Sequence, residues 1–195
     1  MHGDLECLTV FSNSRIAARM IGYGLIDKDL KACLECIRVH RNLGATDDKN
    51  RFIKWATFIA LCTTYGKCFV SASGRRIKLE TSIVPTKYVA THDKLMTLRH
   101  NYTAHGGGYE ERGLAPIGLN PDLSDKRVLE VGPVLCLYVG QVSAHDLGLY
   151  ERLVTELIVK VAAKVEEGRV ALRKEIDNMD IEHLYAAAHN QQPSA

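Results

Sequence analysis

The chain is expected to fold as a mainly α protein, a bundle of four to six helices with a small inserted β-hairpin. Three observations lead there. Apolar residues recur at helical spacing through most of the 195 residues. One stretch, residues 109 to 140, changes to β-rich runs around a turn. A hydrophobic share of 46% is enough for one packed core. That length suits a single domain, expected over residues 1–190 with the β-rich excursion at about 110–140. The tail Gln191 to Ala195 is expected to be disordered, and there is no repeat or low-complexity tract.

The elements follow in order. Residues 13 to 22 suggest a short helix with Ser14 as its N-cap. Leu30, Cys33, Leu34 and Ile37 mark a second, after Asp27 as cap and before Gly44 as stop. Asp47 and Asp48 open the next, where Phe52, Trp55, Ala56, Ile59, Cys62 and Phe69 form an apolar stripe reaching about Ser71. Ser73-Gly74-Arg75-Arg76 begins a polar loop that Pro85 closes. Tyr88, Leu95, Leu98 and Tyr102 then face inward from a helix that ends at Gly106-Gly107-Gly108, since glycine readily takes the left-handed turn of a helix C-terminus. Leu114 to Leu119 and Val128 to Val131 read as strands joined through Asn120-Pro121-Asp122. From Asp146 onward, Tyr150, Leu153, Val154, Leu157, Ile158, Val161, Ala162 and Val165 form the cleanest helical stripe, with Gly168 and Asn178 placed to bend or end it.

Composition narrows the function. A formal net charge of +2 argues against a protein that coats nucleic acid and leaves room for a compact local site. No run of roughly 18 apolar residues suggests a membrane span, and the first ten residues lack the pattern of a secretory leader. Six cysteines are too sparse for a disulfide scaffold, so they read as reduced, buried thiols and the protein as cytoplasmic. Cys33, Cys36 and His40 have a spacing that suits three zinc ligands, but no second cysteine pair completes the set, Cys33 and Cys36 lie along the stripe of Leu30, Leu34 and Ile37, and core packing is the expected role.

The chemistry concentrates in Arg99-His100-Asn101-Tyr102-Thr103-Ala104-His105, directly before three glycines. Asn101 and His105, four apart on a helix, share a face, with Arg99 at its edge. These residue types suit transesterification of RNA with no metal and no cofactor. Histidine moves a proton to or from the 2′-hydroxyl or the leaving 5′-oxygen, and arginine holds the phosphate through paired hydrogen bonds as charge develops. His100 or Asn101 would orient the imidazole or bind a phosphate oxygen. In-line attack needs base and acid on opposite sides of phosphorus, which one His105 cannot supply. A two-fold homodimer would, because an isologous interface repeats the same patch.

The run Arg99, polar His100, the spacer Asn101 to Ala104 and His105 resembles the signature of the HEPN superfamily. The resemblance implies a HEPN-like bundle of four to five helices, often dimeric, and in many members a metal-independent ribonuclease of toxin–antitoxin, abortive-infection or CRISPR-linked defence. It implies Arg99 and His105 as catalytic residues with His100 and Asn101 organising the site, RNA as substrate, and an antitoxin or defence-system partner. The tyrosine modified in toxins silenced by nucleotidyltransferases has no counterpart here, where Gly107 stands. Tyr102 is placed to stack on a base, and Arg75 and Arg76 with Lys78, Arg38 with Arg41, or Lys126 with Arg127 are placed to guide an RNA backbone. Beside the ribonuclease stand two other readings: an inactive HEPN-type module that binds a protein or nucleotide partner, and a nucleotide-binding regulator.

Overall fold

The computed structural model describes residues 14–43, 48–71, 77–101, 117–119, 128–131 and 142–185 apart from 183. Within them the protein is mainly helical. Helix α1 spans Arg15–Asn42, α2 spans Asp48–Lys67, α3 spans Val89–Arg99 and α4 spans Ala144–Asp177. Two single 3-10 turns, Thr81–Ile83 and Thr86–Tyr88, lead into α3. Strands β1 (Ile117–Leu119) and β2 (Val128–Val131) pair antiparallel, with Ile117 opposite Val131. The turn expected at Asn120-Pro121-Asp122, the triple glycine and the C-terminal tail lie outside the described residues.

Ser14 caps α1 as its chemistry suggests, its hydroxyl accepting from the Ala17 amide at 3.1 Å. The helix then runs unbroken, where the pattern predicts two. Asp27 is no cap but lies mid-helix, 2.6 Å from Lys31 one turn on. Gly22 is needed inside the helix for space: a Cβ there would stand 2.6 Å from Ile77 Cγ1. Tertiary packing therefore overrides the local tendency of glycine to interrupt a helix.

On α2 the buried face is turned from the expected one. Phe58, Leu61, Cys62 and Tyr65 are buried, with Cys68 and Phe69 just beyond the helix, whereas Phe52 is 55% exposed and Trp55, Ala56 and Ile59 are half-buried. The helix stops at Lys67, where the Cys68 amide turns back to the Tyr65 carbonyl and the Cys68 carbonyl accepts from Leu79. On α4 the expected stripe is the observed one for Tyr150, Leu153, Val154, Leu157 and Val161, while Ala162 is exposed. Its end is at Asn178, and it passes through Gly168, which lies close against Met20 of α1.

The helices pack antiparallel where their contacts fix direction. Arg41 meets Glu151 at one end of the α1–α4 pair and Met20 meets Gly168 at the other. Between α1 and α2, the His40 Nδ1–H donates to the Lys54 carbonyl at 3.2 Å, and Lys67 approaches Asp29 at 3.4 Å. Helix α3 and its leading turns bridge α2 and α4, held to α4 by Lys94–Asp146, Lys87–Glu156 and a bond from Lys160 to the Ile83 carbonyl. One core results, from Ile26, Leu30, Cys33 and Ile37 of α1 through the α2 face and Leu95 to Leu153, Leu157 and Val161 of α4. Among the described residues no helix is long and apolar enough to cross a membrane.

Candidate functional site

Helix α3 is short, and its sequence places two unlike roles on one stripe. His92, Leu95 and Arg99 are spaced three and four apart, so they share the face turned to α2. His92 and Leu95 are buried. Tyr65 of α2 and His92 share a hydrogen bond, with the hydroxyl 2.7 Å from Nδ1. The Phe69 ring stands edge-on to the same imidazole at 4.5 Å between centroids. Burial holds His92 below the ordinary histidine range, with Asp93 opposing it weakly, so the ring is neutral at neutral pH. Burial likewise pushes the Tyr65 hydroxyl upward, and the two meet as a neutral hydrogen-bonded pair.

One turn beyond Leu95 the stripe reaches the end of the helix at Arg99, which is half-buried. Its arm crosses α2 at Gly66. A Cβ on Gly66 would overlap Arg99 Cδ and would stand only 2.8 Å from Cγ and 2.9 Å from Nε. Long cationic side chains often lie along a packed surface in this way while keeping their heads near water. Past Arg99 the backbone continues as a π-helical turn through His100 and Asn101, a local widening that recurs at functional sites. The His100 amide bonds back to the Met96 and Thr97 carbonyls; its side chain is exposed, and Asn101 is half-buried.

Arg99, His100 and Asn101 thus come together on consecutive residues at one helix end. Their proposed companions His105 and Tyr102 lie outside the described residues, as do Arg75, Arg76, Lys126 and Arg127. The remaining candidate cations have carboxylate neighbours: Lys78 is 3.7 Å from Glu80, Arg38 is 2.5 Å from Glu35, and Arg41 makes a two-pronged contact with Glu151. The Arg41 guanidinium, by hydrogen bond and charge, holds the Glu151 carboxyl below its ordinary range. Such exposed pairs are parts of a solvated surface.

Cys33 and His40 have core roles. The Cys33 thiol is fully buried and donates to the Leu61 carbonyl at 3.9 Å, and burial pushes it far above the ordinary thiol range. Burial also raises the Cys36 thiol and lowers His40. Among the described residues no group of three or more His, Cys, Asp or Glu side chains is arranged to hold a metal ion. Two features of the site do not follow from the sequence pattern. His92 reads there as one more polar residue in a helix, and Gly66 gives only the hint of being the one glycine within α2. No protein-family model, no curated protein and no solved structure matches the chain.

Proposed function

We propose that the protein is a metal-independent endoribonuclease of the HEPN type, a cytoplasmic toxin or phage-defence effector that works as a homodimer. On this reading the paired strands are a hairpin inserted in a HEPN-like helical domain. The 2′-hydroxyl loses its proton to one His105 and attacks the adjacent phosphorus. The P–O5′ bond breaks as the His105 of the second copy protonates the leaving oxygen. The products carry a 2′,3′-cyclic phosphate and a 5′-hydroxyl. Arg99 holds the phosphoryl oxygens through paired hydrogen bonds while charge builds on them. His100 and Asn101 orient the imidazole or the phosphate, Tyr102 stacks on a base, and Arg75 and Arg76 draw in the backbone.

What supports the reading is the setting of Arg99: a half-buried arginine at a helix end, its arm laid across a neighbouring helix, with exposed His100 next in the chain. Such a seat suits a phosphate clamp, since electrostatic stabilisation works best when the donor is already in place. The test is RNA cleavage in EDTA by the wild type and by His105→Ala, with a second substrate carrying 2′-deoxyribose at the cleaved position. His105→Ala is expected to lose about 100-fold or more in rate, in line with the usual worth of a general acid–base group, and the deoxy substrate to stay intact. Cleavage that persists in His105→Ala overturns the mechanism. An intact RNA with wild-type protein favours the partner-binding module instead.

A further inference from the structure

We infer that Gly66 is a positioning residue for Arg99, the bare spot on α2 that lets the arginine arm cross it. The effect on rate rests on the ribonuclease reading above; the seat itself rests on geometry. Gly66 is buried in the last turn of α2, and the three nearest approaches to a methyl placed there all come from Arg99, at Cδ, Cγ and Nε. None of the three comes from backbone, and all three belong to the one arginine side chain. The atoms concerned are the middle of the arm rather than its tip, so a methyl cannot be avoided by a small swing of the head. The arm must leave its rotamer. Glycine within a helix is ordinarily unfavourable relative to alanine, and its use here is accounted for by the passage of Arg99.

The consequence is specific. Gly66→Ala keeps the guanidinium in the protein but moves it, and a displacement on the order of 1 Å in a group that stabilises a transition state costs about 100-fold in rate. Because the clamp acts on charge that develops during the reaction, the loss belongs in kcat, with KM for RNA changed by less than about threefold. A residue that matters only for folding would instead lower the thermal midpoint and the fraction of active protein.

The experiment is a double-mutant cycle on the full chain: wild type, Gly66→Ala, Arg99→Ala and both together, each measured for kcat, KM and thermal midpoint. In the Arg99→Ala background, Gly66→Ala is expected to raise the midpoint by about 2–4 °C, the ordinary gain of alanine over glycine in a helix, and to leave the residual rate unchanged. With Arg99 present, that gain is expected to vanish and kcat to fall. Wild-type kcat in Gly66→Ala overturns the positioning role, and an equal midpoint gain in both backgrounds overturns the seat. If Gly66→Ala alone does not fold, recovery of folding in the double variant supports the seat and failure of both contradicts it. Should the wild type cleave no RNA, the ribonuclease reading falls while the midpoint cycle still decides whether Gly66 seats Arg99.

Discussion

His92 is a titratable ring held where its charged form is unfavourable, packed on Phe69 and bonded to Tyr65. Its folded pKa lies below the ordinary 6.5, as does that of buried His40. As pH falls through 6.5, the unfolded chain takes up protons that the folded protein refuses, so stability is intact above that value and is lost below it. The urea midpoint is therefore expected to be level from about pH 8 to 7 and to fall toward about pH 5. His92→Gln should flatten part of that fall, and a midpoint that stays level or rises on acidification would contradict the assignment. Tyr65→Phe should cost about 1–3 kcal/mol by leaving the imidazole without its buried partner, measured by urea unfolding at neutral pH. Residues with a local role are legible in the sequence: Ser14 caps because its hydroxyl reaches an amide three residues on. His92 and Gly66 are not, because their meaning lies in Tyr65 and Arg99, which are 27 and 33 positions away in the chain.

Among the elements, α1 and α2 show how packing decides what pattern leaves open. Gly22 and Gly24 both sit within α1, but only one is spatially required. A Cβ on Gly22 would press on Ile77, whereas one on Gly24 meets nothing within 4 Å. Gly24→Ala is expected to raise stability by about 0.5–1 kcal/mol, and Gly22→Ala to gain less than that or to lose stability. Thermal unfolding of the two variants checks the contrast; equal gains would mean that Ile77 yields without cost. On α2, Phe52, Ala56 and Ile59 form a helical row that competes with Phe58, Leu61, Cys62 and Tyr65, and the row that α1 covers becomes the core. Helix α4 offers less choice: Leu147, Tyr150, Leu153, Val154, Leu157 and Val161 keep one buried face, with Val159 turned to solvent, and that face is readable from the pattern.

For the molecule as a whole, a near-balanced charge of +2 is compatible with the proposal that it would meet RNA at one place rather than along its surface. On the proposed ribonuclease reading, in-line transfer asks for groups on both sides of phosphorus, and two-fold pairing would let one His105 per chain supply them. The mass in solution is accordingly expected to be twice the 21.7 kDa of the chain, and a strict monomer with full activity would exclude the shared site. The helical architecture is legible because helices advertise themselves by short-range periodicity, whereas the bundle's pairings, and with them the seat of Arg99, depend on residues far apart in the chain. The decisive measurement is the chemistry of the RNA ends formed in the presence of EDTA. Transesterification at Arg99 and His105 predicts a 2′,3′-cyclic phosphate and a 5′-hydroxyl, formed at an undiminished rate. Ends with a 5′-phosphate and a 3′-hydroxyl, or cleavage abolished by EDTA, would contradict it.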